Sequence, residues 1–324
     1  MKRLTGWWVI ACCLAATCAF SQSPGFPTKP VRWVVPFPPG GSADLMARMT
    51  APDLGKALGQ QVVVENRPGA SAIVGAEYVA KAAPDGHTVL QCNVGQFAIN
   101  PSLYRKLPYD PLRDFNPITV IASIDNVMVV TPSLPVKSVR ELIELARKRP
   151  GELNFTSSGA GSLTHLTGEL MKLHANIKMT HISYKGSAPA AVDTMAGFVQ
   201  IMYDNLPATL ENIKSGRLRA LAVLSRERSP VLPNVPTLHE SGFPEYDMVS
   251  WQCVAAPAGT PKVVIDRLYT ETAAILKTPT IRDRMATLGA RVVANTPDEF
   301  AKYLRDESAK WSKAVKDAGI KLEE

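Results

Sequence analysis

Val31-Arg32-Trp33-Val34-Val35-Pro36-Phe37 is a short run rich in β-branched and aromatic residues, which predicts a strand over residues 31–37. Pro38-Pro39-Gly40-Gly41 breaks it. Ser42 can then cap a helix beginning Ala43-Asp44-Leu45-Met46, with Leu45 and Met49 on one face. Pro52 is expected to kink or restart that helix, because proline has no N–H for the next hydrogen bond. The alternation goes on with a strand over 61–65, a helix over 71–82 and a strand over 87–93. Ser138-Val139-Arg140-Glu141 reads as a capping box, so a helix follows it and stops at Pro150-Gly151. Next come a strand over 153–156, a loop over 157–162, a helix over 163–173, a strand over 179–184, a helix over 188–196 and a strand over 200–203. Strands over 219–224 and 249–255 and long helices over 261–276 and 297–318 complete the pattern.

Strands alternating with helices specify an α/β fold with mixed, mostly parallel sheets flanked by helices. A chain of 324 residues has the length of about two domains. Proline-rich stretches run from Pro101 to Pro135 and from Pro230 to Pro244. Crossovers near residues 125 and 250 would make the second domain an insertion. The expected division is residues 24–125 plus 251–324 for the first domain and 126–250 for the second, with the packing of the last helix left open.

The N-terminus alters this picture. Lys2 and Arg3 precede an apolar stretch from Leu4 to Phe20, followed by Ser21-Gln22-Ser23-Pro24, so residues 1–23 read as a secretory signal peptide. A membrane anchor is the weaker alternative, since about 17 apolar residues are at the short limit for spanning. Lipidation at Cys18 is weaker still, because Ala15-Ala16-Thr17 is a poor site for it. Export would leave Cys92 and Cys253, either bridged or, as the favoured reading, two separate buried cysteines. Hydrophobic residues make up 46% and charged residues 20%, which excludes a disordered chain. The net charge of +7 is thinly spread and aromatics are only 7%, so nucleic acid is not expected as a partner.

The chemistry concentrates in a matched pair of strand-to-helix turns. Phe37-Pro38-Pro39-Gly40-Gly41-Ser42 is one, and Thr156-Ser157-Ser158-Gly159-Ala160-Gly161-Ser162 is the other. Glycine lets backbone approach a ligand closely, and helix N-termini present unpaired N–H groups and partial positive charge to anions. Two such turns facing across a cleft would grip a small carboxylate from both sides. The bland alternative is two ordinary connections. Neither turn is a P-loop or a dinucleotide fingerprint. No Gly-x-Ser-x-Gly elbow is present. Ser158, His165 and Asp204 can be assembled into a hydrolase triad only on paper, and no His/Cys grouping has metal-ligand spacing.

Several segments carry a family resemblance. They include Val35-Pro36-Phe37-Pro38-Pro39-Gly40-Gly41, Val64-Glu65-Asn66-Arg67-Pro68-Gly69-Ala70, Leu107-Pro108-Tyr109-Asp110-Pro111 and Tyr184-Lys185-Gly186-Ser187-Ala188-Pro189-Ala190. Asp204-Asn205-Leu206-Pro207, Ala256-Pro257-Ala258-Gly259-Thr260-Pro261 and Asn295-Thr296-Pro297-Asp298-Glu299-Phe300 continue the series. In order along the chain they resemble the Bug family of periplasmic solute-binding proteins, the receptors of tripartite tricarboxylate transporters.

That resemblance implies a two-lobed type II periplasmic-binding fold (a Venus flytrap), with no catalysis, cofactor or metal. It implies a small carboxylate as ligand, membrane permease subunits as partners and a monomeric mature protein. Carried over by position, Phe37, Pro39, Gly40, Gly41, Ser42 and Asp44 would form the first wall, joined by Asn93 and Gln96, which are bulkier than the family's usual small polar residues. Ser157, Ser158, Gly159, Ser162, Thr164 and His165 would form the second wall, with Tyr184 and Asp204 on the cleft floor. Capture would proceed by hinge closure. A secreted α/β hydrolase and a ligand sensor feeding a signalling partner are the alternatives.

Overall fold

The computed structural model describes residues 25–317; the expected signal peptide lies outside the described residues. The chain opens with β1 (Val31–Val35), α1 (Ser42–Leu58), β2 (Val62–Asn66), α2 (Ile73–Ala80) and β3 (Thr88–Asn93). A π-helical turn over Gly95–Ile99 leads into α3 (Asn100–Leu103), β4 (Phe115–Ile124) and β5 (Asn126–Val130). The middle of the chain forms α4 (Val139–Lys148), β6 (Asn154–Ser157), α5 (Leu163–His174), β7 (Thr180–Ser183) and α6 (Ser187–Met195). It continues as β8 (Ile201–Asn205), α7 (Leu206–Lys214), β9 (Arg219–Val223) and β10 (Ser250–Pro257). The last elements are α8 (Lys262–Leu276), α9 (Pro279–Ala286), β11 (Ala290–Val292) and α10 (Pro297–Asp317).

Two sheets organise the fold. One has the order β11-β4-β10-β3-β1-β2, the other β7-β6-β8-β5-β9. Both are mixed, and parallel pairing is narrower than the alternation predicts. It holds for β1 with β2 and β3, and for β6 with β7 and β8. The strands that carry the chain between sheets run antiparallel to their neighbours, β4 and β10 in the first sheet and β5 in the second. Only Asp125 separates β4 from β5.

Alternation along each strand feeds separate apolar layers. Val31, Trp33 and Val35 of β1 pack under α1 and α8 with Met46, Leu54, Leu268 and Leu276. Val34 points the other way, into a layer that holds α2, α10 and the near face of the second sheet. The far face of the second sheet is covered by α6 and α7 through Ala190, Ala191, Leu206 and Leu210. The last helix packs on the first sheet, with Phe300, Leu304 and Trp311 buried. The buried Glu307 carboxylate accepts from the indoles of Trp251 at 3.0 Å and Trp311 at 2.9 Å.

Four local expectations need correction. First, α1 runs unbroken through Pro52; buried Met46, Ala47, Ala51 and Leu54 hold its inner face, and only one helical hydrogen bond is forfeited there. Second, Ser42 is the first helical residue, not the cap. Gly41 occupies the cap position and no side chain caps the helix. Third, α2 starts at Ile73, after Ala70, Ser71 and Ala72 take three successive left-handed conformations. Fourth, Cys92 and Cys253 are bridged, with Cα atoms 4.9 Å apart. They sit directly opposite each other in the antiparallel β3–β10 ladder, a register that residues 161 apart in sequence do not reveal.

Candidate functional site

Strand ends and helix starts of both sheets meet in one cleft. Its two adjoining cavities share Phe37, Asn93, Ser158 and Asn205. Gly41, Ser42, Ala43, Ser187 and Gln252 line one. Ser71, Gln96, Asn100 and the Gly159–Thr164 segment line the other. Each cavity is about 20 Å³, enough for roughly one water molecule. The walls touch elsewhere: a Cβ built on Gly40 would lie 3.8 Å from Ala188, and one on Gly186 only 2.8 Å from Pro38. A larger ligand therefore needs the walls to part before it can enter.

The first wall is set by the loop between β1 and α1. Gly40 turns it with φ +87°, and the Gly40 N–H donates to Asp44 at 3.0 Å. Asn66 Nδ2 donates to Asp44 and to the Phe37 carbonyl, while Arg48 donates to both Asp44 oxygens. Burial alone would raise the Asp44 pKa, but these donors outweigh it and hold the carboxylate below its ordinary range. Asp44 thus shapes the loop from behind. It does not line the cleft, and neither do Pro39 and Gly40.

The second wall is a hydrogen-bonded turn. Thr164 Oγ1 accepts the Ser158 N–H at 3.2 Å and lies within 3.1 Å of the Ser158 and Ser162 hydroxyls. Ser162 caps α5 by accepting the His165 N–H, and its hydroxyl donates to the Gly159 carbonyl at 2.6 Å. Behind the turn, Ser157 bonds His181 at 2.8 Å, and the His165 and His181 rings stack with centroids 4.0 Å apart. Burial lowers both histidines, His181 to about 3, so both are neutral near pH 7. The Gly161 N–H donates to His165 Nδ1 at 3.2 Å. Ser157 and His165 therefore brace the turn from outside the cleft lining.

The expected cleft floor also needs correction. The Tyr184 hydroxyl donates to Asp193 at 2.5 Å and its ring packs against the α6–α7 layer, away from the cavities. Asp204 is wholly buried, and it accepts the Ser187 hydroxyl at 2.5 Å. Its strand neighbour Asn205 takes the lining position. Ser158, His165 and Asp204 are each committed to other partners and form no relay.

Sequence reasoning identified two helix starts at this place, and four converge. The N-termini of α1, α5, α6 and α7 all reach the cleft through Ser42, Leu163, Ser187 and Asn205. Of these, α1, α6 and α7 have no side-chain cap; in α7 the Leu206 N–H donates to the Asp125 carbonyl at 2.9 Å and Pro207 has none, so the first N–H groups left to other acceptors are those of α1 and α6. Pro207, two residues after Asn205, and the glycine before Ser187 were usable signals for the two that were missed. No Lys, Arg, Asp or Glu lines either cavity among the described residues. An anion in this cleft meets helix dipoles, amides and hydroxyls. The described residues contain no group of three or more His, Cys, Asp or Glu side chains able to hold a metal ion.

Two lobes whose helix starts converge on the cleft between them are the architecture of a solute-binding protein. The chain belongs to the tripartite tricarboxylate transporter receptor family, whose profile matches residues 46–320. It is 39% identical to protein BugT of Bordetella pertussis over 323 residues, covering 99% of both chains. Among solved structures it is similar to Rpa4515 of R. palustris with adipate, at 41% identity and TM-score 0.89, over 92% of this chain and 100% of that one. It is also similar to MatC of Rhodopseudomonas palustris with bound malate, at 30% identity and TM-score 0.86, over 90% and 100%.

Proposed function

We propose that this protein is an exported receptor that captures a small organic carboxylate in the cleft and delivers it to the permease of a tripartite transporter. The observation that carries this reading is the convergence of four helix N-termini on a cleft without side-chain charge. Helix N-termini favour anions over neutral solutes, and family relatives hold adipate and malate. The ligand acts as a bridge between the walls and shifts the population from open to closed. Micromolar affinity corresponds to about −8 kcal/mol.

The lobes are proposed to divide as residues 24–125 plus 251–324 and residues 126–250. In support, each sheet draws its strands from one of these spans, with only Ser250 of β10 across the boundary. The reading also places the protein in the periplasm, after removal of residues 1–23. No described helix is long and apolar enough to cross a membrane, as such a location requires. The cycle is binding and release without turnover. A thermal-shift screen of the mature protein against organic acids and neutral sugars tests the reading. At least one acid should raise the melting temperature and the sugars should not; the reverse result refutes it.

A further inference from the structure

Two side chains in the cleft have a requirement that a carboxylate cannot meet. Gln96 and Asn100 are each 1% exposed, and both line the cavity next to the α5 N-terminus. Gln96 Oε1 and Asn100 Oδ1 have no hydrogen-bond partner among the described residues. Their orientations are fixed from the other end. Gln96 Nε2 donates to the Ala72 carbonyl at 3.3 Å, so its oxygen is the remaining atom. The Tyr109 hydroxyl donates to the Gln96 backbone carbonyl at 3.1 Å. The Asn100 side chain interacts with the same hydroxyl, and its Oδ1 is the atom left without a partner.

Both leftover atoms are acceptors. An ionised carboxylate is acceptor-only, so it would leave them unsatisfied and add repulsion. The neighbouring cavity has the opposite character. It holds the uncapped start of α1, where Ser42 is 3% exposed and its hydroxyl is without a partner, and the uncapped start of α6. The cleft therefore offers an anion the donors of its helix starts, α5 included, and sets two buried acceptors beside them. We propose that the ligand is a carboxylate that also carries a hydroxyl or amino donor, which fills the hydrogen-bonding capacity of Gln96 and Asn100. This specificity rests on the carboxylate reading above and narrows it. Buried acceptors left unpaired discriminate strongly against ligands that lack the donor.

Matched acids test this by isothermal titration of the mature protein: succinate against malate and aspartate, butyrate against 3-hydroxybutyrate, and benzoate against 4-hydroxybenzoate. In any set that binds, the donor-bearing acid should bind at least about tenfold more tightly, equivalent to ~1.4 kcal/mol. Adipate, which lacks such a donor when ionised, should rank below the best hydroxy or amino acid. Gln96→Met should shrink the preference between the matched acids to within about twofold. Asn100→Ala provides an independent variant, and the wild-type ratio decides the matter if neither variant folds. Equal or tighter binding of the donor-free acids overturns the inference while the carboxylate reading stands. No binding by any acid overturns the carboxylate reading itself.

Discussion

Ser187, the first residue of α6, donates its hydroxyl across 2.5 Å to the buried carboxylate of Asp204 on β8. The pair ties a helix start in the cleft to the strand beneath it. It also leaves Asp204 Oδ2 buried and without a partner among the described residues. Burial pushes the Asp204 pKa up to about 7, against the lowering effect of the Ser187 hydroxyl and the Asn205 N–H.

This shift has a direction in pH. An unfolded aspartate titrates near 4, so between about pH 4 and pH 7 the folded protein holds a proton that the unfolded chain has lost. The stabilising contribution is present below pH 4 and is lost as pH rises through 7. Each pKa unit is worth about 1.4 kcal/mol. Asp204→Asn should therefore melt several degrees higher than the wild type at pH 8, with the gap much narrower at pH 5. Parallel melting curves across that range would show that Asp204 does not carry the effect.

Gly186 lies in the left-handed half of backbone space, at φ +150°, with Pro38 of the opposite wall against it. A Cβ there would come within 2.8 Å of the Pro38 ring. Gly186→Ala should hold the walls apart and weaken acid binding about tenfold, or ~1.4 kcal/mol. Circular dichroism should remain that of the folded protein. Unchanged affinity would mean that this contact plays no part in closure.

The Cys92–Cys253 bridge closes a loop that contains the whole second sheet. Thiol titration of the denatured mature protein should find no free cysteine before reduction and two after. Replacing both by serine should cost about 2–5 kcal/mol of stability. Two free thiols in the unreduced protein would remove the bridge and with it that prediction.

Much of the layered pattern is legible in the sequence because strands such as Val31–Val35 and helices such as Val139–Lys148 carry their own period and caps. The strands that lead from the first sheet into the second, β4 and β5, are not. Pro117 interrupts the β4 segment in sequence, yet it pairs with Ala255 at an irregularity in the ladder. Asn126–Val130 is fully buried, so no alternation marks it. Turns with glycine and serine announce Phe37–Ser42 and Ser157–Ser162. Ser187 and Asn205 enter the cleft because separate strand ends converge, and Asn100 because a π-turn after β3 redirects the chain. Asp44, Ser157 and His165 have the right chemistry at the right loops, but their side chains turn inward to brace them.

The most direct test joins the two walls covalently. A Cβ at Gly40 and the Cβ of Ala188 lie 3.8 Å apart, the separation a disulfide spans. The G40C/A188C protein, oxidised, would hold the cleft at its narrow separation, while mild reduction would free it and spare the buried native bridge. The account predicts that the oxidised form does not take up an acid that the wild type binds, and that reduction restores uptake. Undiminished binding by the oxidised protein would contradict it, because the ligand would then have to sit somewhere other than between the lobes.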